Sequence, residues 1–247
     1  QRHRGEPRPG WEKTVEGQGM VYGIPGRGQG DAPRPYWDES VHYVFEMDEI
    51  LALEADVELM HSMCLDAVDH VVTTERFRDF ALPEWCWEAV AASWKRHDAH
   101  IYGRFDLRYD GSGPAKLLEY NADTPTSLLE AAVVQWHWKT DVFPDDDQWN
   151  SIHEKLVERW GEVGERLPSK ELHFTWSTAD PTGEDHVTTA YLQETAAEAG
   201  DPSALAATDG RILVGDPAGR RVLAFDGDGR FAGTVPGFRG PAGALAL

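Results

Sequence analysis

Four polar residues near the middle of the chain have types and spacing that suit a combined metal and phosphate site: Arg104, Asp106, Glu119 and Asn121. Each alternates with apolar neighbours, which is typical of strands with one polar and one apolar face. The sequence Asp-Gly-Ser-Gly-Pro at 110–114 lies between the two alternating stretches and is a turn signal. Together these features predict a β-hairpin over 101–121.

The predicted register brings the four polar residues together. With a four-residue loop at 111–114, Asp106 lies opposite Glu119 and Arg104 lies opposite Asn121, all on one face. Opposed carboxylates on a sheet repel each other unless a cation lies between them. Carboxylate and amide oxygens suit a hard divalent ion, and a guanidinium suits phosphate or carboxylate oxygens. The alternative is a surface hairpin whose charges are solvated or form an Arg104–Asp106 pair.

The other face of the hairpin is predicted to be apolar, with Phe105 opposite Tyr120 and Leu107 opposite Leu118. Directly downstream, Thr124–Ser127 precedes a helical pattern, and Ser127 and Glu130 have capping-box spacing. Because the first amides of a helix bind anions, this start predicts an anion site near the polar face.

Two helices are expected before the hairpin. One apolar stripe predicts a long helix from Asp48 to Thr74, with Cys64 as a buried structural thiol. A second helix is expected to begin at Pro83. The stripe of the long helix contains Ile50, Leu53, Val57, Met60, Cys64, Ala67 and Val71.

The segment after the hairpin predicts further elements. The acidic triplet at 145–147 suits the start of a helix better than a metal site. Leu172–Trp176 resembles a buried strand, and a helix is expected from Glu184 or Asp185 to Gly200. Two short strands are expected at Ile212–Val214 and Val222–Phe225, and no element is expected after Phe225.

Glycine content predicts three regions. Residues 1–35 contain eight of the 24 glycines, residues 36–199 contain six, and residues 200–247 contain ten. We therefore expect an irregular N-terminal arm, a folded middle domain and a Gly/Ala-rich tail. The glycines at 26–30 lack the pattern of a phosphate-binding loop, so an ordinary loop is favoured.

Composition excludes several classes of protein. The net charge of −20 argues against nucleic-acid binding, and no apolar run is long enough to span a membrane. Two cysteines in 247 residues favour reduced thiols in a cytoplasmic protein. The ten histidines form none of the usual metal-binding spacings.

Several strings resemble the glutathionylspermidine synthase family over about residues 11–200. They are Tyr-Gly-Arg-Phe-Asp at 102–106, Leu-Leu-Glu-Tyr-Asn-Ala-Asp-Thr-Pro-Thr at 117–126, Pro-Tyr-Trp-Asp-Glu-Ser at 35–40 and Gly-Glu-Asp-His-Val-Thr at 183–188. The resemblance implies an α/β (α+β) fold with a pre-ATP-grasp domain and a partial ATP-grasp-like architecture. It also implies an acid–amine ligase, in which ATP phosphorylates a carboxylate and an amine attacks the acyl phosphate.

The resemblance also implies roles for individual residues. Arg104 would steady the acyl-phosphate transition state, and Asp106, Glu119 and Asn121 would be ligands of Mg²⁺. Thr124 and Thr126 would contact the acid substrate. Glu184 and Asp185 resemble an acidic pair near the substrates, although charge at a helix start is the alternative interpretation. The implied cofactors are Mg²⁺ and ATP as co-substrate, and the implied partners are a glutathione-like or other acid and a polyamine-like amine.

The C-terminal region departs from the family pattern. The family's Lys-Leu-Tyr-Pro-Trp-Glu string does not occur here, and the last lysine is Lys170. We therefore expect a chain that is truncated or divergent after about residue 200, with no assignable nucleotide-binding residues. One rival hypothesis is an inactive binding module that keeps the substrate surface. A more remote rival is a metal-free carboxylate pair of the glycosidase type.

Overall fold

The structure is a computed structural model. It describes residues 1–22, 36–122, 126–166, 172–177 and 182–200, and the backbone of four strands between 203 and 234. The chain divides into two compact units. The helix–hairpin unit contains residue 1 and residues 44–122, and the mixed unit contains residues 2–43 and 123–247.

Helices and small sheets alternate along the chain, in agreement with the predicted α+β class. The helices are α1 Trp11–Gly17, α2 Met47–Thr73, α3 Trp87–Arg96, α4 Gln135–Val142, α5 Ile152–Arg166 and α6 Glu184–Glu198. Short 3-10 turns occur at Arg76–Phe80 and Glu84–Cys86, and a π-helical turn occurs at Glu130–Val134. The strands are β1 Arg2–Arg4, β2 Val41–Tyr43, β3 Arg104–Arg108, β4 Lys116–Asn121, β5 Leu172–Ser177, β6 Ser203–Thr208, β7 Ile212–Asp216, β8 Arg221–Phe225 and β9 Phe231–Thr234.

The long helix α2 dominates the helix–hairpin unit. Its start is stabilised by a capping box in which Glu46 and Glu49 bond each other's backbone. The predicted stripe is the more protected face, but within it only Leu53 is buried. Cys64 is only half-buried, so the prediction that its thiol is buried is wrong. Cys64 and Cys86 are both free thiols, as predicted.

The N-terminal segment is more ordered than the predicted irregular arm. In residues 1–22, β1 pairs with β2 in an antiparallel sheet, and α1 buries Val15. The Arg8 guanidinium donates to both oxygens of the buried Glu39 and also pairs with Asp141 at 2.5 Å. Glu39 and Asp141 raise the pKa of Arg8. The glycines at 26–30 lie outside the described residues.

The core of the mixed unit forms where α5 and α6 pack beside β5. Leu156, Trp160 and Val163 are buried on one side of α5. The Trp160 indole donates to the Thr195 hydroxyl at 3.0 Å, and its ring meets Phe174 edge to face. A buried indole therefore has its polar atom satisfied while its ring fills the core.

Two further predictions for this unit are wrong. The acidic triplet at 145–147 does not begin a helix, because α5 starts at Ile152. The expectation of no element after Phe225 also fails, because β9 pairs with β8. The strands predicted at β5, β7 and β8 are confirmed, and β6 adds a parallel partner for β5. None of the described helices is long and apolar enough to cross a membrane.

Candidate active site

The hairpin of the helix–hairpin unit has the predicted register at its open end. Arg104 pairs with Asn121, Asp106 pairs with Glu119, and Phe105 pairs with Tyr120. The register shifts between Asp106 and Leu107, so that Leu107 pairs with Leu117 and not with Leu118. A β-bulge therefore separates the polar end of the hairpin from its turn, and the predicted Leu107–Leu118 pair is wrong.

Hydrogen bonds join the four polar side chains into one chain of contacts. Arg104 Nε donates to Asp106 Oδ1 at 2.9 Å. With the Asn121 amide in the orientation that satisfies both of its atoms, its oxygen accepts from an Arg104 Nη at 3.1 Å. Its nitrogen then donates to Glu119 Oε1 at 3.3 Å. The structure therefore brings together the four residues that the predicted register places side by side.

The same geometry contains the alternative that the sequence left open. Arg104 and Asp106 form an ion pair in which both side chains are partly exposed. Within the described residues, no group of three or more His, Cys, Asp or Glu side chains could hold a metal ion. The hairpin instead offers two carboxylates and one amide oxygen. These are donor types that Mg²⁺ takes, since Mg²⁺ commonly keeps several waters and uses few protein ligands. In this structure Arg104 bonds one Asp106 oxygen and the Asn121 oxygen.

Three of the four predicted substrate residues, Thr126, Glu184 and Asp185, lie in the mixed unit. Thr124 lies outside the described residues. Thr126 is half-buried and precedes Ser127, whose φ of 69° is in the left-handed region. Such a conformation costs a non-glycine residue about 1 kcal/mol or more and is common at functional sites.

Glu184 and Asp185 are the first two residues of α6, as predicted. Gly183 precedes them with a φ of 79°, and a Cβ there would approach Val21 at 3.4 Å. Two carboxylates at the positive end of a helix are stabilised by the helix dipole. Thr188, one turn along α6 from Glu184, has a buried hydroxyl with no hydrogen-bond partner among the described residues.

Sequence reasoning missed a buried carboxylate in the same unit. Glu130 accepts hydrogen bonds from the Tyr22 hydroxyl at 3.0 Å and from the Tyr36 hydroxyl at 2.8 Å. The Tyr36 hydroxyl also lies 3.4 Å from Ser127 Oγ. Ser127–Glu130 spacing suggested a capping box, but the Glu130 carboxylate meets the two tyrosines. Tyr36 belongs to the Pro-Tyr-Trp-Asp-Glu-Ser string, and this string is the sequence feature that could have pointed to the cluster.

The two phenols have strongly shifted acidities. Burial, together with the Glu130 carboxylate, raises the pKa of Tyr36 to about 12. Burial and the same carboxylate raise the pKa of Tyr22 above its ordinary value. The nearby Glu184 carboxylate adds to both shifts. Both hydroxyls therefore stay protonated near neutral pH and remain donors to Glu130.

Comparisons with known proteins identify relatives. A family model described as glutathionylspermidine synthase preATP-grasp matches residues 2–215. The chain is 36% identical over 167 residues to an acid–amine ligase of Haemophilus influenzae, covering 67% of this chain and 42% of that protein. It is 30% identical over 160 residues to a trypanothione synthetase of Crithidia fasciculata, covering 63% and 23%.

A third relative is the bifunctional glutathionylspermidine synthetase/amidase of Escherichia coli, which is 35% identical over 101 residues. That match covers 39% of this chain and 16% of the relative. The chain therefore spans less than half the length of each of these curated relatives.

Proposed function

Because the chain belongs to the glutathionylspermidine synthase family, we propose that it supplies the metal-binding and substrate-binding part of an ATP-dependent acid–amine ligase. In the proposed reaction, ATP transfers its γ-phosphoryl group to a carboxylate, which gives an acyl phosphate and ADP. An amine nitrogen then attacks the acyl carbon, an amide bond forms, and phosphate leaves. The names of the relatives support ligation of this class.

The observation that carries the proposal is the polar face of the hairpin. Arg104, Asp106, Glu119 and Asn121 lie in one register and one chain of hydrogen bonds. In this proposal Asp106, Glu119 and Asn121 hold Mg²⁺, which when bound neutralises charge on the transferring phosphate.

Arg104 has a separate role in the proposed mechanism. Its bonds to Asp106 and Asn121 fix the plane of the guanidinium. A fixed cation stabilises the negative charge that develops on the acyl phosphate without reorganising during the reaction. Substitution by lysine would keep the charge but lose the planar fork.

The acid and the amine are proposed to bind through the mixed unit. Thr124 and Thr126 would contact the acid next to the left-handed turn at Ser127. Glu184 and Asp185 would attract the ammonium groups of a polyamine-like amine. The net charge of −20 favours the approach of such a cation.

The test measures phosphate release that depends on Mg-ATP, a pool of acids and a pool of amines. It is run on this chain and on a longer family member that carries the same hairpin. Arg104→Ala or Glu119→Ala in the longer protein should reduce the rate at least 100-fold, the size of effect typical for loss of one charge-stabilising group. Far-UV circular dichroism should stay unchanged.

Glu88→Ala, an exposed change on α3, is the matched control and should keep the full rate. Full activity of the Glu119→Ala variant would contradict the proposed site. Tight binding of acid and amine with no turnover in the longer protein would instead indicate an inactive binding module.

A further inference from the structure

We propose that Tyr120 is a positioning residue that holds the open end of the hairpin on α2 and thereby fixes Arg104 and Asn121. This inference rests on the proposed function of the hairpin. Tyr120 lies between Glu119 and Asn121 in β4, so its side chain is on the face opposite to theirs.

The hairpin needs support from outside its own two strands. In the described part of the chain, β3 and β4 form a sheet of two strands with no third neighbour. A two-stranded hairpin is marginally stable in water unless another element packs on it. The bulge after Asp106 weakens the ladder further, between the turn and the polar end.

Contacts with α2 hold the two ends of the hairpin separately. Near the turn, the Ala115 amide donates to Asp56 Oδ2 at 2.7 Å. At the open end, the Tyr120 hydroxyl and His61 Nδ1 form a hydrogen bond of 3.1 Å. The two rings meet edge to face with centroids 5.9 Å apart. Loss of the hydroxyl would therefore remove a contact at the end that carries the polar residues, while the contact near the turn remains.

The Tyr120 ring also packs against β3 at the two residues that flank Arg104, Gly103 and Phe105. It stacks on Phe105, the residue between Arg104 and Asp106, with centroids 4.1 Å apart. A Cβ on Gly103 would lie 2.7 Å from Tyr120 Cε2 and 3.3 Å from the Asn121 carbonyl oxygen. The ring therefore lies against the backbone of Gly103, directly before Arg104. A residue with a Cβ at this position would collide with the ring.

The test compares Tyr120→Phe with Tyr191→Phe in the whole chain. Tyr191 is a close match, because its hydroxyl also bonds a histidine Nδ1, that of His153, at 2.9 Å, but in the mixed unit. Mn²⁺ affinity is measured by electron paramagnetic resonance of the free ion. Solvent exchange of the Arg104 Nε proton is measured by NMR in the metal-free protein.

Tyr120→Phe should weaken Mn²⁺ binding about tenfold, the lower end of the effect of outer contacts on metal affinity. It should also accelerate exchange of the Arg104 Nε proton, whereas Tyr191→Phe should change neither quantity. Gly103→Ala should reproduce both effects with the hydroxyl still present, and Gly161→Ala, where a Cβ meets nothing within 4 Å, is its control.

Unchanged Arg104 exchange in Tyr120→Phe would overturn the proposal, as would equal effects of the two tyrosine changes. If the unsubstituted chain binds no Mn²⁺ but Tyr120→Phe still accelerates Arg104 exchange, the positioning role stands. In that case the metal site of the proposed function fails.

Discussion

At the residue scale, the most unusual group is the buried carboxylate of Glu130. It is 8% exposed, and none of the ion pairs in the described part of the chain includes it. A buried carboxylate is costly unless hydrogen bonds or opposite charge replace its hydration. Two phenol donors provide that replacement, and they tie the segments around Tyr22 and Tyr36 to the π-helical turn that Glu130 begins.

Removal of this carboxylate should destabilise the protein. Glu130→Ala leaves the Tyr22 hydroxyl buried without its acceptor, which should lower the free energy of unfolding by about 2 kcal/mol. Urea denaturation followed by circular dichroism measures the change. Glu58→Ala, an exposed position on α2, should change it by less than about 0.5 kcal/mol. Equal stability of the two variants would show that the tyrosine bonds contribute nothing.

The raised pKa values of the two phenols predict a dependence of stability on alkaline pH. The pKa of Tyr36 is about 12 in the folded chain, against 10.0 without the protein environment. Between these values the folded state holds the proton that the unfolded state loses, so the free energy of unfolding should fall as pH rises. Below about pH 10 this contribution is complete.

Urea denaturation between pH 8 and 11.5 tests that dependence. The Tyr22→Phe/Tyr36→Phe double variant should show a shallower decline above pH 10, while Tyr43→Phe, at an exposed tyrosine, should follow the unsubstituted chain. A decline of the same steepness in all three proteins would contradict the assignment.

Single residues differ in how far the sequence can reveal their role. Asp106 and Glu119 could be paired correctly in advance from strand periodicity and an approximate turn position, because the bulge after Asp106 compensates for the difference at the turn. Glu130 could not, because its partners are 108 and 94 positions away in the chain. Nothing local distinguishes a glutamate that caps a helix from one that accepts from distant tyrosines.

At the element scale, the hairpin prediction contains two errors that compensate each other. The turn is predicted with the wrong length, and the β-bulge is not predicted. The predicted four-residue loop gives one register for the whole hairpin. The structure has Arg108 opposite Lys116 and not opposite Leu117, so its turn encloses one residue fewer than predicted. The bulge after Asp106 adds one unpaired residue on β4, Leu118, and thereby restores the predicted pairing at Arg104 and Asp106. A bulge cannot be located from alternation of residue types alone.

The difference in burial along α2 predicts which of its leucines stabilise the fold. Leu53 is 5% exposed and Leu59 is 61% exposed on the same helix. Leu53→Ala should lower the free energy of unfolding by about 2–4 kcal/mol, because it opens a cavity in a thin core. Leu59→Ala should change it by less than about 0.5 kcal/mol. Thermal or urea denaturation distinguishes them, and a reversed order would contradict the helix orientation.

At the scale of the whole molecule, sequence patterns gave the order of most elements but not the C-terminal sheets. Glycine-rich composition suggested a tail without structure after Phe225, yet β9 completes a three-stranded antiparallel sheet. Backbone pairing between strands that follow each other closely needs little apolar periodicity, which explains why the composition was misleading.

ATP binding is the prediction that belongs to the whole chain. Residues 201–247 contain five arginines and no lysine, and no phosphate-binding motif occurs in them. We expect the chain by itself to show no micromolar affinity for Mg-ATP and no sustained ATP hydrolysis. Isothermal titration calorimetry and a phosphate-release assay measure these quantities. Micromolar binding would show that this region builds a nucleotide site.

The central claim is that the open end of the hairpin binds a divalent metal. The direct measurement is Mn²⁺ binding to the whole chain by electron paramagnetic resonance, with Glu119→Gln and the control Glu88→Gln. The account predicts one Mn²⁺ site that Mg²⁺ displaces, that Glu119→Gln abolishes and that Glu88→Gln leaves intact. Mn²⁺ binding of equal strength in the Glu119→Gln variant would contradict it.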